Sequence, residues 1–294
     1  MTPETRILIL GSNGQLGVEL QRVFAGQGNV VAMGRNRCDL ADLDQISRVM
    51  AEVQPEIILN AAAYTAVDRA ESEPELALRI NGEAPHLLAE EARKTGALLV
   101  HYSTDYVFDG SKASPWIEDD PSGPLNTYGV SKLAGEQGIV AAGGRHLIFR
   151  TSWVVSPHGN NFLRTMLRLG AERDQLKIVN DQTGAPTSAL AIASATREVL
   201  NHLHSDSPWG IYHMTCAGQT TWCGFAQAIF RRARHPENRE WARVTGIPGA
   251  EYPTPAARPG NSVLSNGKLH AAFDVHLPSW EQALDETLRT LRLL

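Results

Sequence analysis

Cysteine is scarce in this chain of 294 residues: Cys38, Cys216 and Cys223 are odd in number and show no Cys-x-x-Cys spacing. That argues against a disulfide framework and against a structural zinc site. Long apolar runs are missing as well, and the opening Met1-Thr2-Pro3-Glu4-Thr5-Arg6 leads into a strand rather than a signal-type stretch. No membrane span is predicted, and the cytoplasm is the expected compartment. Internal repeats, low-complexity tracts and blocks of like charge are also lacking. A net charge of −5 gives no general attraction to nucleic acid or anionic lipid, so a phosphate-bearing partner must be held by local groups. These exclusions leave a small-molecule enzyme as the expectation.

With 43% apolar residues, the chain can build one large domain or two of ordinary size. Short β-rich runs at 6–10, 30–33, 57–60, 98–103 and 146–151 alternate with helix-period segments at 14–25, 43–53, 75–95 and 127–142. In the second helix Leu43, Ile46, Val49, Met50 and Val53 lie on one stripe. This pattern predicts an α/β fold with a Rossmann-type doubly wound parallel sheet. Past Trp153 the regularity loosens, with a helix at 162–173, a strand at 176–179, a helix at 189–204 and a strand at 211–214. Beyond Thr220 come a helix at 225–233, a proline-rich stretch at 248–259 and a terminal helix at 280–293. The predicted division is a dinucleotide-binding domain over 1–155, to which 176–216 returns. A smaller, discontinuous C-terminal substrate-binding lobe covers 156–175 and 217–294.

Gly11-Ser12-Asn13-Gly14-Gln15-Leu16-Gly17 sits between a strand and a helix, the context in which a glycine loop carries weight. Missing β-carbons let the backbone approach a pyrophosphate, while the helix start supplies free N–H groups and positive dipole. The end of the second strand discriminates between nucleotides, since an acid there binds ribose hydroxyls and an arginine accommodates a 2′-phosphate. Here Arg35 and Arg37 precede the first acid, Asp39. NADPH is therefore the expected donor, with NADH as the alternative. Small side chains at Ala61, Ala62 and Ala63 end the third strand, either because a cofactor passes close by or because they pack well between strand and helix.

Tyr128 and Lys132 stand four apart, on one face of the predicted helix. A free phenol ionises at about 10, too high for acid–base work near neutrality, and a neighbouring ammonium would bring it down. Thr104 and Asp105 close a strand at the carboxyl edge of the sheet, where Thr104 can hydrogen-bond a substrate carbonyl that Tyr128 protonates. Trp153 follows another strand end, near the expected pocket. Arg258, in a proline-bounded loop, suits bidentate pairing with a diphosphate, although solvated arginines are commoner. His202 and His204 lack a third ligand nearby in sequence, and a helix C-terminal role is expected for them rather than zinc.

Gly-x-x-Gly-x-x-Gly spacing resembles the extended branch of the short-chain dehydrogenase/reductase superfamily. The segments 11–17, 60–68, 101–109, 124–129, 132–136, 149–153, 159–162, 180–187 and 257–262, in this order, resemble the dTDP-4-dehydrorhamnose reductase family over nearly the full chain. The resemblance implies NAD(P)H-dependent reduction of the C4 ketone of dTDP-6-deoxy-L-lyxo-4-hexulose to dTDP-L-rhamnose, which supplies bacterial cell-surface polysaccharide. It makes Tyr128 the proton donor, assisted by Lys132 and Thr104, and turns Asp105 and Trp153 toward the sugar. Gly14, Gln15, Leu16, Asp39, Leu40, Ala63, Tyr64, Thr65 and Tyr102 match places that contact the cofactor, beside Gly11, Asn13, Gly17, Arg35, Ala61 and Ala62. Asn161 and Arg258 match contacts to the nucleotide portion of the substrate.

Departures from the family pattern are specific. Relatives often carry an acid at the end of the second strand and His where Tyr64 stands. Some also have a glutamate after Ala-Pro-Thr, associated with a magnesium-bridged dimer. That place is Leu190 here, leaving Glu19 as the surviving carboxylate, and an apolar side chain cannot ligate a hard cation. No metal ligands are assigned, and either a monomer or a homodimer is compatible with the sequence. A 4,6-dehydratase of this superfamily needs Asp-Glu after the threonine, whereas Asp105-Tyr106 stands here. The remaining alternatives are another nucleotide-sugar 4-ketoreductase, a 4-epimerase, or a non-catalytic dinucleotide-binding regulatory subunit. The last tends to lose the tyrosine or the lysine, and both are present.

Overall fold

The computed structural model describes residues 2–204 and 206–294. Strands β1 (Arg6–Leu10), β2 (Asn29–Met33), β3 (Ile57–Asn60), β4 (Leu98–Thr104) and β5 (His146–Thr151) line up in parallel, and a later strand joins them at one edge. Helices α1 (Gln15–Phe24), α2 (Leu43–Val53), α3 (Val67–Ala70), α4 (Pro74–Leu78), α5 (Ala84–Thr95) and α6 (Thr127–Ala142) fall between them. Successive strand residues point to opposite faces of the sheet. Ile7, Ile9, Leu59, Val100 and Phe149 therefore enter one core, while Leu8, Leu10, Ile58, Leu99 and Ile148 enter the other. Burial on both faces explains why these strands read as nearly continuous apolar runs.

The 75–95 segment is not one regular helix, as its periodicity predicted. Residues Arg79–Glu83 form a π turn between α4 and α5. Pro85 lies in the first turn of α5; it lacks an N–H, and its ring crowds the carbonyl four residues back, which is Asn81. The wider turn frees Asn81, whose side chain accepts from the Tyr64 N–H at 2.8 Å and donates to Tyr64 O and Ser131 Oγ at 3.0 Å each. Gly135 of α6 packs against the same turn, where a β-carbon would stand 2.1 Å from Asn81 O.

After β5 come β6 (Val154–Val155), α7 (Phe162–Glu172), β7 (Gln175–Val179), β8 (Thr183–Gly184), β9 (Thr187–Ser188), α8 (Ala189–Asn201) and β10 (Gly210–His213). The chain ends with β11 (Thr220–Thr221), α9 (Trp222–Arg232), β12 (Arg243–Ile247), α10 (Gly267–Phe273) and α11 (Trp280–Thr290). The 176–216 stretch divides: β7 pairs with β12 in a separate two-stranded parallel sheet, while β10 joins the main sheet beside β5. The helix at 189–204 is shorter than its pattern suggested, ending at Asn201 with His202 as its cap. The main sheet runs β10-β5-β4-β3-β1-β2, so the winding direction reverses between β1 and β3. Ligands of doubly wound sheets bind outside the carboxyl ends of the strands at such a reversal. Among the described residues, no helix is long and apolar enough to cross a membrane.

Candidate active site

A cleft of about 720 Å³ opens at that reversal, lined at one end by the glycine loop and at the other by Thr104, Tyr128 and Trp153. Gly11 turns at φ +77°, and a β-carbon on it would lie 2.7 Å from Ala62 N, so the loop and the end of β3 touch through backbone alone. Gly17 packs as tightly: its β-carbon would meet Gly11 O at 2.1 Å. Gly14 caps α1 without any side-chain hydrogen bond. The first N–H groups of α1 thus carry no side-chain acceptor and stand ready for an anion.

Gly11, Asn13, Gly14, Gln15, Leu16, Arg35, Asp39, Leu40, Ala61, Ala62, Ala63, Thr65, Tyr102, Thr104, Asp105, Tyr128, Lys132 and Trp153 all line this one cleft. Arg35 Nε is 3.8 Å from Asp39 Oδ1, which places both side chains at the end of β2. Gly17, Tyr64, Asn161 and Arg258 are not among the residues that line it. Tyr64 points away, donating its hydroxyl to Glu73 at 2.6 Å. Asn161 caps α7 and donates to Gln15 Oε1 at 2.8 Å, so it reaches the cleft through Gln15. Arg258 pairs with Asp68 at 2.9 Å and donates to Ala256 O.

Tyr128 sits in the first turn of α6, whose amino end is capped by Asn126. Its ring meets Tyr106 edge to face, with centroids 5.5 Å apart. Burial pushes its phenol up to about 12, opposed by a hydrogen bond with Thr104 and reinforced by Asp105. The expected lowering by Lys132 is not what the structure shows. Lys132 donates to Tyr102 O at 2.7 Å and lies 3.1 Å from His101 Nε2, so its head is turned toward β4. Burial brings this lysine down to about 8. His101 is wholly buried, and desolvation and then Lys132 hold it well below the usual imidazole range, which keeps it neutral. One turn further along α6, Glu136 receives Arg150 at 2.6 Å and the Ser103 hydroxyl at 2.5 Å, fixing β4, β5 and α6 together.

Asp105 is 3% exposed, and its Oδ2 has no hydrogen-bond partner. Burial raises its carboxyl to about 6 against the hydrogen bonds of Ser262 and Thr104. An acid raised in the folded state binds its proton more tightly there than in the unfolded chain. Stability therefore falls as pH rises from the ordinary carboxylate range through about 6, and the penalty is complete above it. Asp105→Asn is expected to melt at a higher temperature than the parent near pH 8 and to lose that advantage near pH 4. An advantage of equal size in melting curves at both pH values would rule out the buried carboxylate as its source.

Trp153 adopts a left-handed backbone, φ 48°, and stacks on Trp222 with ring centroids 3.5 Å apart. Gly184 makes room for it, since a β-carbon there would lie 2.4 Å from the Trp153 ring. Trp222 lines the cleft from the start of α9, and sequence reasoning missed it. Its only local sign is Thr221, a helix cap placing an aromatic at the first helical position. Cys38 also lines the cleft, but burial and nearby Asp39 and Asp42 push its thiol up to about 11, so it is no nucleophile. Leu190 and Glu19 do not form an oxygen cage: Leu190 has no donor, and the buried Glu19 pairs with Arg22 at 3.3 Å and faces His158 at 3.8 Å. The residues present do not fit a magnesium ion held by paired glutamates.

A parallel sheet with a glycine loop at its reversal point and a buried tyrosine–lysine helix beside it defines the Rossmann-type dinucleotide-binding class. The sequence matches the RmlD substrate binding domain model over residues 5–293, and the chain belongs to that family. It is 48% identical to a dTDP-4-dehydrorhamnose reductase of Burkholderia thailandensis, covering 97% of this chain and 99% of the relative. It is 43% identical to the Escherichia coli K12 enzyme of that name, covering 97% of each. Among solved structures, a Bacillus anthracis dTDP-4-dehydrorhamnose reductase in complex with NADP superposes with a TM-score of 0.91 at 34% identity, covering 98% of this chain and 99% of the other. A Thermus thermophilus UDP-glucose 4-epimerase complexed with NAD, 21% identical, superposes at a TM-score of 0.79 over 98% of this chain and 99% of the other, a likeness of fold alone.

Proposed function

We propose that this chain is an NADPH-dependent dTDP-4-dehydrorhamnose reductase acting in the cytoplasm. Its reaction would reduce the C4 ketone of dTDP-6-deoxy-L-lyxo-4-hexulose to dTDP-L-rhamnose for surface polysaccharide. One observation carries the reading: Tyr128, Thr104 and Lys132 meet in a single cleft with the glycine loop, in a chain matching reductases end to end. The N–H groups at the start of α1 would hold the pyrophosphate, Arg35 and Asp39 the adenosine side, and Tyr102 with Lys132 the second ribose. Ala61, Ala62 and Ala63 form the wall between. When bound, the reduced nicotinamide supplies hydride to the ketone carbon.

Tyr128 gives its proton to the ketone oxygen, and a phenol held up at about 12 is fully protonated at neutral pH, as a donor must be. Thr104 orients that hydroxyl. Lys132, one helical turn along, has its head on Tyr102 O and would serve the ribose beside the nicotinamide rather than the phenolate. Trp153, backed by Trp222, would cover the sugar, with 156–175 and 217–294 acting as the substrate lobe. The decisive assay supplies dTDP-4-keto-6-deoxyglucose, a 3,5-epimerase and NADPH, follows the nicotinamide absorbance and identifies the sugar formed. Absence of NADPH consumption, with cofactor retained through purification, would instead favour an epimerase.

Arg35→Ala is expected to lower kcat/KM for NADPH about tenfold and to leave NADH nearly unchanged, as loss of an exposed phosphate contact would. Equal effects on both nucleotides in steady-state kinetics would remove the argument for a 2′-phosphate site.

A further inference from the structure

Away from the cleft, α10 runs into His270-Ala271-Ala272-Phe273-Asp274-Val275-His276, and three of these side chains converge. His270 Nδ1 is 3.5 Å from Asp274 Oδ1, and His276 Nε2 is 3.8 Å from the same oxygen. All three donor atoms lie within 4.8 Å of one another, and the two imidazole rings stand 3.8 Å apart between centroids. Nitrogen and oxygen ligands bound about 2.0–2.1 Å from a tetrahedral ion are about 3.4 Å apart. Small side-chain rotations therefore close the set around one ion. Two imidazoles and a single carboxylate suit zinc, nickel or copper, whereas magnesium and calcium take all-oxygen shells.

The backbone supplies a second, independent argument. Asp274 caps α10 in the left-handed conformation at φ 54°, with its N–H on His270 O. A carboxylate at this end of a helix faces the negative pole of the dipole, where a cation is favoured. Among the described residues, the two histidines are its only ion-pair partners, and neither is charged unless protonated. A dication on the three donors would offset the repulsion and join the end of α10 to the segment leading into α11. We infer that His270, Asp274 and His276 form a surface site for one divalent transition-metal ion, with water completing the shell. None of the three lines the dinucleotide cleft. His276 borders a separate hollow with Glu198 and Glu286.

The test uses the full chain without a histidine tag, stripped of metal, titrated with Zn2+ against a chromophoric chelator. One ion per chain should bind in the micromolar range, and affinity should fall at least about tenfold in both His270→Ala and His276→Ala. Excess Mg2+ should not compete. Zinc at about a hundredfold above its Kd should raise the parent melting temperature by about 4 °C and shift both variants by about 2 °C or less. The three cysteines are buried, so they do not supply a rival site. Binding weaker than about 100 µM, or affinity unchanged in the two variants, would overturn the assignment.

Discussion

Tyr128→Phe is expected to lower kcat by about 10²–10⁴-fold, the usual contribution of a positioned proton donor. The aromatic contact with Tyr106 and the burial of the ring survive this change, because only the hydroxyl is removed. NADPH affinity, measured by fluorescence titration, should stay near the parent value, since the phosphates are held at the far end of the cleft by the start of α1. A fall in kcat with little change in nucleotide binding separates a group acting in the transition state from one that merely binds. Turnover within about threefold of the parent would show that another acid protonates the ketone.

Glu136→Ala should destabilise the fold by about 3–5 kcal/mol, the range for leaving one partner of a buried ion pair uncompensated. Arg150 is 3% exposed, held between Glu136 and the face of Phe108, and its Nη1 already lacks a partner. For a chain of this length that corresponds to a fall in melting temperature of about 5–8 °C. Adding Arg150→Met should restore much of the loss, because burying two apolar side chains removes the unpaired charge. A single variant that melts within about a degree of the parent would mean that water reaches the guanidinium. Activity should suffer as well, since Glu136 is the charge that raises Lys132 against its burial.

The doubly wound sheet was legible because its strands are buried on both faces, which leaves the apolar runs 7–10, 57–59 and 147–149 at their centres. β12 was not, since Arg243-Val244-Thr245-Gly246-Ile247 mixes charge and glycine and exists as a strand only by pairing with β7. α10 is short and starts at Gly267 with no capping side chain, so nothing local announces it. In the site, the glycine loop and the tyrosine–lysine pair were readable because their geometry is set within seven residues. Partners distant in sequence were not. Gln15 meets Asn161 across 146 positions, Asp68 meets Arg258, and Trp222 reaches Trp153 from another element. Lys132 also shows the limit of spacing arguments: four residues place it on the right face, but a carbonyl and a buried imidazole decide where its head points.

The π turn at Arg79–Glu83 carries one residue more than a regular helix would hold at that point. Deleting one residue there would restore the ordinary winding and flatten the outward bulge, with the flanking turns kept in nearly the same phase. Asn81 would swing out of reach of Tyr64 and Ser131, and the notch that receives Gly135 would vanish. The irregularity thus works as a keyway: its bulged backbone is the notch in which the tyrosine-bearing helix is seated, so length in this segment is under tighter constraint than composition.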